Sequence, residues 1–173
     1  MKTKLFFMIL AMQVLPVSLY SQTKFHDVEA IGAWGTVKSI KQTTMGKVSY
    51  ITFSEDGKLT SDELEEADCD AYGFMRTAIM NIDGLKTIIS FQWEDGRVKT
   101  TTTTIPSMKM SVKTIMKYNS TGSKLISESS KVKGTVSETT YSDYIFDSHG
   151  NWISRKVTIE GNISEQTREI TYY

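Results

Sequence analysis

Most active sites and metal centres are built from histidine, cysteine and clustered carboxylates, and this chain places few of these where chemistry needs them. Its two histidines, His26 and His149, lie far apart, and neither has metal-ligand partners at a useful spacing. The single cysteine, Cys69, sits among Asp68 and Asp70, whose charges raise a thiol pKa rather than lower it. The acidic run Asp62, Glu63, Glu65, Glu66, Asp68 and Asp70 lacks the central glycine and terminal glutamate of a calcium loop, and reads as a solvated face. There is no Gly-x-Ser-x-Gly elbow and no phosphate-binding glycine loop. No catalytic residue, no metal ligand and no cofactor are therefore expected.

The remaining polar and aromatic residues with binding potential gather near the C-terminus: Asp147, His149, Asn151, Trp152, Arg155 and Arg168. If Gly161-Asn162 forms a two-residue turn, Arg155 falls opposite Arg168, and like charges there repel. Either Asp147 or a bound anion then lies between them, or the register shifts by one and pairs Arg155 with Glu169. Trp152 fits a core position or a sugar-stacking platform.

The elements that must position these residues are strands. From Met108 to Tyr118, Met108, Met110, Val112, Thr114, Met116 and Tyr118 share one face, while Lys109, Ser111, Lys113 and Lys117 share the other, with Ile115 the exception. Such alternation marks a strand with one wet face. Thr100 to Thr104 favour strand because they are β-branched. Ile153, Val157 and Ile159 alternate in the same way, with Arg155 breaking the row. Asp56-Gly57, Asp83-Gly84, Asp95-Gly96 and Gly161-Asn162 are hairpin dipeptides, and Pro106, Thr121-Gly122, Lys133-Gly134 and His149-Gly150 mark further turns. The expected strands are 34–42, 47–54, 72–82, 85–93, 97–105, 108–118, 124–132, 135–146, 151–160 and 163–173. Short connections between them imply an all-β antiparallel meander. Thr60-Ser61-Asp62-Glu63 has the form of a capping box, so a short helix or acidic loop is expected around Leu64.

A loose repeat runs through the hairpins: an aromatic residue, a polar turn with glycine, then an apolar residue. It occurs at Phe53–Gly57–Leu59, Trp93–Gly96–Val98, Tyr118–Gly122–Leu125 and Phe146–Gly150–Trp152. The aromatic ends one strand on the core face and the next apolar residue begins the return strand. The stretch from Tyr144 through Phe146-Asp147, Gly150-Asn151-Trp152 and Arg155 resembles the YD (RHS-type) repeat. Together with Arg168-Glu169-Ile170-Thr171-Tyr172, it resembles the tails of small uncharacterised exported bacterial β-proteins, a likeness that brings no catalytic residues with it. Gly32-Ala33-Trp34 and the later Phe53-Ser-Glu-Asp56-Gly57 resemble the opening of lipocalin-like domains. That resemblance implies a closed or partly open barrel with an interior for a small apolar ligand. The YD-type resemblance implies instead an open single-layer sheet.

Lys2 and Lys4, the apolar run Leu5 to Met12 and the small residue Ser21 have the layout of a secretory signal peptide cut after Ser21. Residues 22–173 then form one β-domain, periplasmic or secreted, with 18 basic residues against 20 acidic. This balance lacks the basic footprint of a nucleic-acid binder, and no stretch is long and apolar enough for a membrane span. With one cysteine the domain has no internal disulfide. Three functions remain open. One is a non-enzymatic binding or interaction protein for an unknown protein, glycan or small ligand. Another is a lipocalin-like carrier of a small apolar molecule, with Met75, Met80, Met108, Met110 and Met116 as lining. The third is an enzyme acting on glycans or peptides. Intact-mass measurement of the exported protein is expected to give a chain beginning at Gln22, and a mass that retains residues 1–21 would refute the cut.

Overall fold

The computed structural model describes residues 24–173, so the expected signal segment and its cut lie outside the described residues. After a single helical turn, α1 (Asp27–Ala30), the described residues run through eleven strands. These are β1 (Val37–Thr44), β2 (Lys47–Thr52), β3 (Leu64–Cys69), β4 (Met75–Ile82), β5 (Leu85–Glu94), β6 (Arg97–Ile105), β7 (Met110–Tyr118), β8 (Leu125–Val132), β9 (Thr135–Phe146), β10 (Trp152–Ile159) and β11 (Asn162–Tyr172). All belong to one antiparallel sheet in the order β2-β1-β11-β10-β9-β8-β7-β6-β5-β4-β3. The meander thus runs from β3 to β11, and the β1–β2 hairpin docks on its far end through β1 and β11.

The first and last strands pair, yet the sheet is not closed. β2 and β3 are its edges and do not pair with each other. The closed form of the expected barrel is therefore corrected to an open sheet. The sheet is nevertheless curved. α1 joins a core of Val28, Ala33, Val37, Ile40 and Phe53 beside β1 and β2, and it also packs against β6. One short turn of helix reaches both only if the strands between them bend around it.

Ten of the strands lie where alternation and turn residues put them, and β3 does not. A strand replaces the helix or acidic loop expected around Leu64. Leu64, Ala67 and Cys69 turn partly inward, while Glu65, Glu66 and Asp68 are exposed. Ser61 serves a tight turn, its hydroxyl accepting from the Glu63 amide at 3.2 Å. An edge strand has one unpaired side, and carboxylates there discourage pairing with another chain. The acidic residues that argued against a strand are thus compatible with an edge.

A second correction concerns the last hairpin. Its register pairs Arg155 with Gln166, neither with Arg168 nor with Glu169. The turn residues are Glu160 and Gly161, at φ 49° and 81°, in place of Gly161-Asn162. Two-residue turns with positive φ at both positions match strand twist best, and glycine fits the second of them. The same construction closes β1–β2, β4–β5, β5–β6 and β8–β9. The four aromatic-turn segments also close as expected, with Phe53 bridging to Leu59 and Trp93 pairing with Val98, Tyr118 with Leu125 and Phe146 with Trp152, although Phe146 is exposed and not on a core face. The β7 alternation holds from Met110 to Tyr118, whereas Met108 falls in a 3-10 turn and is exposed.

The segment before β1 ties the two edges of the sheet together. Phe25 N–H donates to the Asp56 carbonyl in the β2–β3 connection, and His26 N–H donates to the Gly73 carbonyl in the β3–β4 turn. Gly73 has φ 88°, and a Cβ there would sit 2.2 Å from the Lys24 carbonyl oxygen, so the strap needs glycine at this point. His26 stacks on Phe74 at 4.0 Å, and Phe74 meets Trp93 edge-on at 5.0 Å. Asp27 is buried at 2 % exposure; its Oδ2 accepts the Leu59 amide at 2.8 Å, and its Oδ1 has no partner among the described residues.

Burial raises the Asp27 carboxyl above its ordinary range, and Glu29 adds to this, against the Leu59 amide, Lys58 and His26. A raised native pKa favours the fold when Asp27 is protonated and loses that contribution as pH rises through the native value. Asp27→Asn is accordingly expected to gain stability relative to wild type between pH 4 and pH 7 in urea unfolding. A relative loss over that interval would refute the burial argument.

Candidate functional site

The inner face of the curved sheet holds a cavity of about 340 Å³. In a flat sheet the strands β2 and β7 would be roughly 29 Å apart at about 4.8 Å per strand. Ile51 of β2 and Met116 of β7 nevertheless line the same cavity, together with Ile31 and Gly32 after α1. The curvature that wraps the helix therefore also forms this space.

Its floor is set by two irregularities in the β9–β10 ladder. Between the pairs Trp152–Phe146 and Ser154–Ile145, β10 carries one extra residue. Between Ser154–Ile145 and Lys156–Ser142, β9 carries one extra residue, and Asp143 there has φ 50°. A bulge reverses the alternation beyond it. Trp152 and Arg155, three apart, thus both turn inward, as do Tyr141 and Tyr144. Arg155 does not break the apolar row of β10; it is buried on the same face as Trp152 and Val157.

Two guanidinium groups meet at Trp152. The Arg155 guanidinium carbon lies 4.0 Å from the Trp152 ring centre and 3.8 Å from that of Tyr141, and the Arg168 carbon lies 3.7 Å from Trp152. Arg155 and Arg168 are 7 % and 8 % exposed, and among the described residues neither has a carboxylate within 4 Å. Aromatic faces offset part of the cost of burying such cations.

The two arginines are held differently. Arg168 donates from Nε to Gln42 Oε1 at 2.9 Å, from Nη1 to the Gly32 carbonyl at 3.3 Å and from Nη2 to the Ile31 carbonyl at 2.8 Å. It is the clamp that fastens the end of α1 to the sheet. Burial and the neighbouring Arg155 charge push its pKa down to about 9, which leaves it charged at neutral pH. Arg155 donates from Nε to Gln166 Oε1 at 2.6 Å and from Nη1 to the Tyr144 hydroxyl at 3.1 Å, and its Nη2 makes no hydrogen bond among the described residues. Gln166 in turn donates to Thr44 Oγ1 at 2.7 Å.

Tyrosines complete the wall. The Tyr118 hydroxyl donates to the Val98 carbonyl at 2.9 Å and the Tyr144 hydroxyl to the Leu125 carbonyl at 2.5 Å. Burial raises the phenols of Tyr118, Tyr141 and Tyr144, with Glu128 adding to the effect at each and Arg155 opposing it at Tyr141 and Tyr144. They remain neutral in the physiological range and act as hydrogen-bonding walls, not as bases. Cys69 is a half-buried thiol on the edge strand β3, raised by burial and then by Asp27 and Asp68, and it does not line the cavity.

The residues singled out in the last hairpin divide into two groups. Trp152, Arg155 and Arg168 line the cavity together, whereas Asp147, His149 and Asn151 build the turn between β9 and β10. Asp147 Oδ1 accepts the His149 and Asn151 amides, each at 2.9 Å, and its Oδ2 accepts the Tyr172 hydroxyl. Burial alone would raise this carboxyl; the Tyr172 hydroxyl and the two amides hold it below the usual carboxylate range. Asn151, 1 % exposed, accepts the Trp34 amide at 2.7 Å and donates to the Trp34 carbonyl and the Tyr172 hydroxyl. His149 stacks on Tyr172 at 4.0 Å. This network ties the start of β1 to the end of β9, and Asp147 does not lie between the arginines.

Tyr141, Gln42, Gln166, Lys124 and Glu128 also belong to the cavity and none stands out in the sequence, while Tyr144 stands out only as the start of the YD-like stretch. Only the Arg155–Gln166 pair had a readable signal, the rule that glycine takes the second place in a two-residue turn. Comparison with protein-family models and with curated proteins finds no match. Among the described residues no His, Cys, Asp or Glu cluster suited to a metal is present, and no helix is long and apolar enough to cross a membrane.

Removing the Arg168 side chain would leave the Ile31 and Gly32 carbonyls without their donor, at about 1–3 kcal/mol for each buried unsatisfied group. Arg168→Gln is expected to lower stability by about 3 kcal/mol in urea unfolding. A change below about 0.5 kcal/mol would show that α1 is held by its apolar contacts alone.

Proposed function

We propose that this protein is an exported, non-enzymatic binding module that takes a small ligand into the cavity on the inner face of its sheet. The observation that carries the reading is the cavity itself: partly enclosed, walled by aromatic and apolar side chains, with a few buried polar groups aimed into it. Small-ligand sites share this make-up, and its volume lies at the lower end of their usual range of about 300–1,000 Å³. The reading is close to a lipocalin-like carrier in its ligand position, although the sheet is open between β2 and β3. Export rests on the charged head and short apolar run of residues 1–21.

A catalytic role has less support. The tyrosines on the wall are raised by burial, and the cysteine lies elsewhere. Docking of a protein strand on the free edges β2 or β3 is the competing non-enzymatic reading.

Native mass spectrometry of the protein purified from the exported fraction of its source cells is expected to show a small-molecule adduct. Leu125 lines the cavity, so Leu125→Trp fills it and is expected to abolish the adduct while cooperative unfolding is preserved. An adduct unaffected by that substitution would place the ligand elsewhere, and a clean apo mass would remove support for the carrier reading.

A further inference from the structure

We infer that the ligand of this cavity is an aromatic oxyanion, a flat ring system whose carboxylate or sulfonate is received by Arg155. The inference rests on the reading of the cavity as a binding site and adds the chemistry of its occupant. Charge comes first. The buried Arg155 and Arg168 and the exposed Lys124 line the cavity against a single carboxylate among the described residues, Glu128, which forms no ion pair with any of them. Buried charges are ordinarily paired, because an unpaired one loses its hydration without return. A cationic ligand would meet the two buried guanidinium groups, and a neutral one would leave both without a counter-charge.

Donor geometry locates the anion. The Nε and both Nη atoms of Arg168 are engaged with Gln42 and the carbonyls after α1, so Arg168 is a positioning residue. Arg155 is fixed by Gln166 and Tyr144, and its guanidinium carbon lies 3.8 Å and 4.0 Å from the Tyr141 and Trp152 ring centres, yet Nη2 keeps its two N–H donors free of any partner among the described residues. The Nη1–Nη2 end of a guanidinium offers two parallel N–H bonds to a planar oxyanion, a geometry that a lysine lacks. Because Arg155 is already held in place, little side-chain freedom is lost when it receives a ligand.

The walls select the body. Tyr144 and Phe146 lie nearly parallel, 16° apart with ring centres at 5.6 Å, and Trp152 meets Tyr144 edge-on at 6.4 Å. The Lys124 ammonium lies 5.1 Å from the Phe146 ring centre, a second cation at the same wall. Flat aromatic bodies pack against such rings, and the cavity volume suits a ligand with few rings.

The test is isothermal titration calorimetry on the full mature chain with 2-naphthoate, naphthalene-2-sulfonate, the neutral naphthalene-2-carboxamide, decanoate and inorganic phosphate as probes. Both naphthalene anions are expected to bind about tenfold or more tighter than the carboxamide, the scale of one charge-assisted hydrogen bond. Arg155→Gln is expected to erase that preference by weakening the anions more than the carboxamide, and Arg155→Lys to recover only part of it. Far-UV circular dichroism verifies the fold of each variant; should Arg155→Gln not fold, the comparison of anions with carboxamide on the wild-type chain decides. Carboxamide binding as tightly as naphthoate would overturn the oxyanion inference while leaving the cavity a binding site. Decanoate or phosphate binding tightly where naphthoate does not would overturn the aromatic part. Binding of none of the probes, together with a clean apo mass, would overturn the binding-module reading itself.

Discussion

Arg168 is the point on which the architecture turns. A single guanidinium reaches Gln42 on β1, the carbonyls of Ile31 and Gly32 after α1, and the ring of Trp152 on β10. It thereby joins the docked β1–β2 hairpin, the last two strands of the meander and the helical turn that the sheet bends around. A buried arginine without a carboxylate partner is costly, and three hydrogen bonds to neutral acceptors with an aromatic face are a way to hold it charged. The cost persists in its depressed pKa, caused first by burial and then by the Arg155 charge beside it. The feature that secures the helix also concentrates positive charge in the cavity.

The seam between β2 and β3 is managed by other means. The strap at Phe25 and His26 spans it through backbone hydrogen bonds, with Gly73 permitting the close approach. Asp27 then pins the β2–β3 connection through the Leu59 amide from a buried position. On the edge itself, β3 carries Glu65, Glu66 and Asp68 outward. An open sheet of this size leaves unpaired backbone groups on both edges, and like charge along one of them opposes edge-to-edge association.

The cavity and the core divide one face of the sheet. Toward α1 that face is apolar, with Val28, Val37, Ile40 and Phe53 packed together. Toward β7–β10 it becomes aromatic and cationic. The change coincides with the paired bulges of β9 and β10, which bring Tyr141, Tyr144, Trp152 and Arg155 inward at spacings of three. Bulges add local twist and re-aim side chains, and they are enriched beside functional sites. The irregular part of the ladder is thus the part that carries the polar chemistry.

Local chemistry was enough to specify most of the strands. Alternation, β-branched runs and X-Gly turns act over a few residues, so ten strands and the four aromatic-turn closures were legible without any knowledge of the whole. β3 was not, because its carboxylates suit a strand only at an edge, and edge position is a property of the assembled sheet. The last register was readable in principle from the place of Gly161 in its turn, but repulsion between Arg155 and Arg168 argued only about the two registers considered. The site was half legible: the aromatic and basic residue types of Trp152, Arg155 and Arg168 marked them, yet the same reasoning gathered in Asp147, His149 and Asn151, which serve the turn. Which of them face one space depends on two bulges and on curvature over seven strands. Those are decided by long-range contacts between residues as distant as Gly32 and Arg168, and local spacing does not encode such contacts.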